Sequence, residues 1–178
     1  MKDILIKSYN KSALTYEERF KIHQYIKYVK LLKSDLTLNS SNYLIDFGCG
    51  TALLLDYLNE QKIEVQYNGI DLSRMMIEIA KEKTANVIVG DISKTPYNDN
   101  IADIITSFTV LRIIQEDEVK ILKEIFRVLK PTGTLYLSVL AHKVDDSLFK
   151  NLNTAGFKIE SHILCGQDIG FICKKDAN

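Results

Sequence analysis

The chain of 178 residues has only two prolines, Pro96 and Pro131, and no repeats or low-complexity stretches, so nothing in it reads as a linker between modules. Its three cysteines (Cys49, Cys165, Cys173) cannot all pair, and none forms a CxxC spacing. A disulfide framework and a structural zinc site are therefore not expected, and a reducing, cytoplasmic setting is the simplest expectation. No apolar run approaches the roughly 18 residues of a membrane span. The opening residues Met1-Lys2-Asp3-Ile4-Leu5-Ile6-Lys7 lack a signal-peptide core and cleavage site. Net charge is absent too: 23 Lys and Arg balance 23 Asp and Glu, which argues against a nucleic-acid coat or a polybasic membrane binder. What is present, 46% apolar and 26% charged residues, suits one globular domain with a sizeable core.

The neutral total hides an asymmetry. Residues 1–34 carry eight basic and three acidic side chains (net +5), residues 35–110 five and eleven (net −6), and the remainder ten and nine (net +1). A basic leader thus precedes an acidic middle.

Strand-like apolar runs alternate with helix-like periodic ones. Tyr43–Phe47 reads as a first buried strand, followed by a helix from Ala52 to Leu58. Val65–Ile70, Asn86–Val89, Ala102–Ser107 and Thr134–Leu140 read as further strands. Ser73 is a plausible cap for a helix to about Lys83. Asp117–Leu129 carries a strong apolar face, with Pro131 and Gly133 as its stop, and Asp145–Ala155 reads as a short helix. Lys158–Leu164 and Ile169–Lys174 form a terminal hairpin across Cys165-Gly166-Gln167-Asp168. Such alternation implies a mostly parallel sheet covered on both faces, with one antiparallel strand forced in by the hairpin. A helix over Tyr16–Leu32 stands outside the alternation.

The first strand runs into Asp46-Phe47-Gly48-Cys49-Gly50-Thr51-Ala52. In a doubly wound sheet the first strand-to-helix turn is the usual ligand site, and glycines there permit a sharp turn and close approach. The second strand ends at Asp71, 21 residues after Gly50, about where a carboxylate accepts from ribose hydroxyls. The third ends Val89-Gly90-Asp91-Ile92, an acceptor beside an apolar residue, which suits an adenine and equally suits a turn cap. A nicotinamide site wants a third glycine where this chain has Leu53, so that reading weakens. Asp46 sits better beside a cationic group than beside a pyrophosphate.

These segments, with Gly69-Ile70-Asp71-Leu72-Ser73 and Glu124-Ile125-Phe126-Arg127-Val128-Leu129-Lys130-Pro131-Thr132-Gly133, resemble the class I S-adenosylmethionine-dependent methyltransferases. The likeness spans roughly residues 40–175. It implies a Rossmann-like α/β fold, a doubly wound seven-stranded sheet of order 3-2-1-4-5-7-6 with strand 7 antiparallel, and S-adenosyl-L-methionine as cofactor. By position, Asp46, Gly48 and Gly50 would line the methionine moiety, with Ser107 near its end. Asp71 would take the ribose hydroxyls, and Leu72, Asp91 and Ile92 the adenine. Two departures stand out. Ala52 replaces a glycine common in the family, and Arg112 replaces the first of a pair of histidines.

The leader resembles the N-terminal cap of small-molecule methyltransferases, which suggests residues 1–36 as a lid and 37–178 as the cofactor-binding unit. Tyr9, Tyr16 and Arg19 are its candidate acceptor contacts, with Arg112 and His142 as further candidates. A packed helix, a surface arginine and an exposed loop histidine are the plainer alternatives. No His/Asp/Glu set has metal-ligand spacing, and Cys49 reads as a small turn residue. The expectation is methyl transfer to a small molecule, with no membrane and no nucleic acid as partner, and with positive charge at the mouth to draw in an acidic acceptor. A non-catalytic cofactor-binding subunit and a methyltransferase on RNA or protein stay open as alternatives.

Overall fold

The computed structural model describes residues 2–32, 38–113 and 118–176. Helix α1 (Lys2–Leu32) comes first, then β1 (Tyr43–Phe47), α2 (Leu53–Glu60), β2 (Gln66–Asp71), α3 (Arg74–Lys81), β3 (Val87–Val89) and β4 (Ala102–Phe108). After these come α4 (Glu118–Val128), β5 (Leu129–Leu140), a 3-10 turn (Ala141–Lys143), α5 (Asp146–Thr154), β6 (Phe157–Cys165) and β7 (Asp168–Lys175). The seven strands form one sheet of order β3-β2-β1-β4-β5-β7-β6, the order the resemblance implied. β7 runs antiparallel to both β5 and β6, and all other pairs are parallel. Gly166 (φ 67°) lets β6 turn into β7 within two residues.

Side-chain alternation splits the core into two layers. Ile45, Phe47 and Ile105 pack against Ile121, Leu122 and Ile125 of α4 and Leu148 and Leu152 of α5. Leu44, Ile104 and Phe108 face the other way, onto α1, α2 and α3 through Tyr28, Leu31, Leu54, Leu58 and Ile77. β1 lies between β2 and β4, so the chain winds away on either side of it. The crevice at the carboxyl ends of β1 and β4 is the place such a sheet keeps for a ligand.

Two elements differ from the sequence reading. α1 begins at Lys2, some fourteen residues before the expected Tyr16. No Gly or Pro interrupts residues 2–32, and the first half leaves the core to cross the crevice, so it lacks the apolar stripe that a core helix displays. α4 ends at Val128, three residues before Pro131 as expected of a proline stop, but β5 begins at Leu129, five residues before the expected Thr134. Pro131 is exposed in a bulge, where Ala102 pairs with Leu129 and Ile104 already pairs with Thr134. A strand tolerates proline at such a break in the ladder. Asp117, expected at the start of α4, and the boundary expected at residue 36 lie outside the described residues.

Candidate functional site

The turn after β1 is held to the end of β2: the Gly48 and Cys49 amides donate to the Ile70 carbonyl at 2.8 and 3.1 Å. Gly48 (φ 82°), Gly50 (φ 53°) and Ala52 (φ 61°) all take left-handed backbone, so Ala52 adopts a conformation that favours glycine. A Cβ on Gly48 would drive into the Val110 side chain, so this position needs glycine for space as well as for φ. Cys49 packs its sulfur where Gly69 has no Cβ, and burial pushes its thiol well up, leaving it a small neutral filler.

Asp71 closes the turn. Its carboxylate accepts from the Gly50 amide at 3.0 Å and the Ser73 amide at 2.8 Å, one on each oxygen. The Leu72 amide bonds it as well, and the carboxylate lines the crevice, where its remaining acceptor capacity can meet a hydroxyl. Burial raises its pKa against the pull of those amides. Ser73 caps α3, and its hydroxyl donates to Asn10 of α1 at 2.7 Å, which ties the first half of α1 to this wall.

Around these groups lies a cleft that opens to solvent, with about 640 Å³ of empty space when its mouth is counted. Gly48, Gly50, Asp71, Leu72 and Ile92 line it from the sheet, and Tyr9 and Tyr16 from α1. Seven sequence-derived candidates thus meet in one cleft. Asp46 lies just behind, in a smaller chamber of about 300 Å³ that shares Tyr16, Gly48 and Phe108 with the cleft. It is 4% exposed and accepts from Thr106 Oγ1 at 2.7 Å and Tyr67 Oη at 3.1 Å. Burial pushes its pKa up to about 7, only partly offset by those two donors.

Other candidates stand apart. Asp91 braces its own turn, accepting from the Ser93 amide at 2.8 Å, and does not line the cleft. Ser107 is fully buried and faces the α4 layer, opposite Thr106 and Phe108. Arg19 lies exposed against Phe20, and His142 is exposed on the 3-10 turn. Arg112 is bound at 3.2 Å to Glu118 and 2.9 Å to Asp145, and donates to the Lys143 carbonyl at 2.6 Å. Among the described residues no His/Cys/Asp/Glu cluster could hold a metal, and no helix is long and apolar enough to cross a membrane.

The sequence reading missed the remaining walls: Leu5 and Ile6 of α1, Ser73 and Met76 at the start of α3, Phe108 at the end of β4, and Thr109, Val110 and Ile113 after it. Phe108 carried a signal, because strand parity puts it on the same side as Asp46 and Thr106. Thr109 holds left-handed backbone (φ 56°), strained for a β-branched residue. Its hydroxyl donates to Asp168 at 2.7 Å, and its amide reaches the Ser138 carbonyl at 3.0 Å. Lys27 of α1 joins this group, donating to Thr109 Oγ1 and lying 3.3 Å from Asp168, with both ionic side chains buried. On the far side, Glu124 accepts from the Thr95 amide and hydroxyl, both at 2.7 Å, fixing the loop after Ile92. The Arg127 guanidinium holds Glu124 down at about 2 despite partial burial.

A doubly wound sheet whose glycine turn and carboxylate-tipped second strand meet at one crevice is the arrangement in which such folds hold nucleoside-bearing ligands. Comparison with known proteins narrows this. Residues 45–137 match the methyltransferase domain family, and the chain belongs to it. A demethylmenaquinone methyltransferase of Staphylococcus epidermidis is 32% identical over 135 residues, 72% of this chain and 55% of that protein. The chain therefore spans about half the length of the curated relatives it matches. Among solved structures, a TehB-like S-adenosylmethionine-dependent methyltransferase of Corynebacterium glutamicum superposes with a TM-score of 0.75 at 20% identity, covering 92% of this chain and 98% of that one. A Haloferax volcanii chain solved with the Trm112 methyltransferase activator gives 0.77 at 16% identity, covering 94% and 97%. These two likenesses show the fold.

Proposed function

We propose that this chain is an S-adenosylmethionine-dependent methyltransferase acting on a small molecule. The observation that carries the reading is Asp71, braced by the Gly50 and Ser73 amides with its carboxylate lining the cleft. In this reading it accepts from the ribose hydroxyls, Leu72 and Ile92 cover the adenine faces, and glycine at 48 and 50 leaves room for the methionine chain. Asp46, in the adjoining chamber, supplies the negative charge for an ammonium. Asp91 and Ser107 act one layer back, as a turn brace and as packing under β4.

When bound, the cofactor would supply an activated methyl group on a sulfonium, whose thioether is already a good leaving group. With a leaving group that good, the residues have mainly to align and to exclude water. α1 does this by lying over the cleft. It is pinned by Asn10 to Ser73, and by Lys83, which reaches Glu17 at 2.6 Å and Asp56 at 2.5 Å. That cover supports a small acceptor over RNA or protein. The relative's name, demethylmenaquinone methyltransferase, points the same way.

Calorimetric titration with S-adenosylhomocysteine tests the reading. Asp71→Ala should weaken binding by about 1.5–3 kcal/mol, the loss expected for a charged acceptor. Equal affinity in the variant and the parent chain would remove Asp71 from the site.

A further inference from the structure

We propose that the acceptor is an uncharged, ring-bearing, largely apolar molecule with one oxygen that receives a hydrogen bond, seated between α1 and the end of β4. The proposal rests on the cofactor reading above, and it reverses the acidic acceptor expected from the charge of the leader. Setting aside the residues assigned to the cofactor, the cleft retains hydrocarbon walls from Leu5 and Ile6 on one side and Phe108, Val110 and Ile113 on the other.

Among the described residues no lysine, arginine or histidine lines the cleft, whose one charged lining group is Asp71. Lys27 is buried against Asp168, Arg112 is bound by Glu118 and Asp145, and Lys83 is bound by Glu17 and Asp56. Arg19 points away, exposed beside Phe20. The basic leader thus brings no cation into the cleft among the described residues. A charged acceptor entering this wall would lose water without compensation, which costs several kcal/mol. A ring loses nothing of the kind and gains contact with Phe108 and two tyrosines.

The polar groups set the second half of the proposal. Thr109 Oγ1 is taken by Asp168 and Lys27. Tyr16 Oη accepts from Gln24 Nε2 at 3.1 Å, so its own proton is directed elsewhere, and its ring borders the cleft. Tyr9 lies beside it, and burial raises both phenols, keeping them protonated as donors. Tyr9, whose side chain lines the cleft, gives an oxygen on a neutral ring a donor.

The test uses protein saturated with S-adenosylhomocysteine and three probes of one shape: 2-naphthol, 2-naphthoate and 2-naphthylmethylammonium. Fluorescence titration should give 2-naphthol at least tenfold tighter binding than either ion. Ile6→Lys, on a half-exposed helical position, should shift the preference to 2-naphthoate with circular dichroism unchanged. Tyr9→Phe should weaken 2-naphthol about tenfold, and an unchanged 2-naphthol affinity would overturn the hydrogen-bonding half of the proposal. Equal or tighter binding of an ion by the parent chain, or no saturable uptake of any probe, overturns the acceptor proposal alone. Failure to bind S-adenosylhomocysteine overturns the cofactor reading and this proposal with it.

Discussion

Replacing Asp46 with asparagine should make the chain more stable and a poorer binder at once. The carboxyl is buried, and its pKa rises from 3.8 to about 7, chiefly through lost hydration. An acid whose pKa is raised on folding binds more protons folded than unfolded between those two values, so stability falls as pH climbs through that window. The full cost by pH 8 is about 3 units at 1.36 kcal/mol each, roughly 4 kcal/mol. Asparagine escapes it. It keeps one acceptor where the carboxylate served both Thr106 Oγ1 and Tyr67 Oη. One hydroxyl must then turn away, at about 1 kcal/mol. The net gain is about 2–3 kcal/mol at pH 8, a rise in Tm of roughly 4–12 °C for a domain of this size. At pH 4 the gain vanishes and the variant is about 1 kcal/mol the weaker. S-adenosylhomocysteine affinity moves the other way, falling at least about tenfold with loss of the counter-charge to its ammonium. Thermal melts from pH 4 to 8 and calorimetry at pH 8 read both effects. A lower Tm at pH 8, or a difference in Tm that ignores pH, would refute the argument.

Asp168→Ala strands Lys27 in the core and should cost about 3–5 kcal/mol by chemical denaturation, while Lys27→Met in the same chain restores most of it; a double variant no better than the single would show that the pair does not carry the effect. Gly48→Ala adds a Cβ at φ 82° against Val110. It should lower stability by about 1–3 kcal/mol and weaken S-adenosylhomocysteine as well, and an intact affinity would mean that the cleft needs no space there. Asn10→Ala removes the acceptor shared by Ser73 Oγ and the Met75 amide. Trypsin should then cut faster after Lys7 and Lys11 with global stability within about 1 kcal/mol, whereas unchanged cleavage would show that this contact does not hold α1 down.

Much of the sheet was legible because its signals are local. Buried parallel strands read as short apolar runs, and the glycine turn and Asp71 fall at the carboxyl ends where such sheets bind ligands. What stayed hidden depends on distant chain segments. Leu5 and Ile6 look like stray apolar residues until α1 is seen to cross the cleft. Lys27 and Asp168 lie far apart in sequence and share a function only through the β5–β7 pairing. The parity of β4 could have separated Ser107 from Phe108, because Thr106 must face Asp46. The leader's positive charge suggested an anionic acceptor, yet among the described residues none of its cations lines the cleft: Lys27 is held by Asp168 and Lys21 by Glu60.

The most direct test is a crystal structure of the chain with S-adenosylhomocysteine. The ribose hydroxyls should lie on the Asp71 carboxylate, the adenine between Leu72 and Ile92, and the amino group toward Asp46. A nucleoside bound elsewhere, or Asp71 turned away from the ligand, would contradict the account.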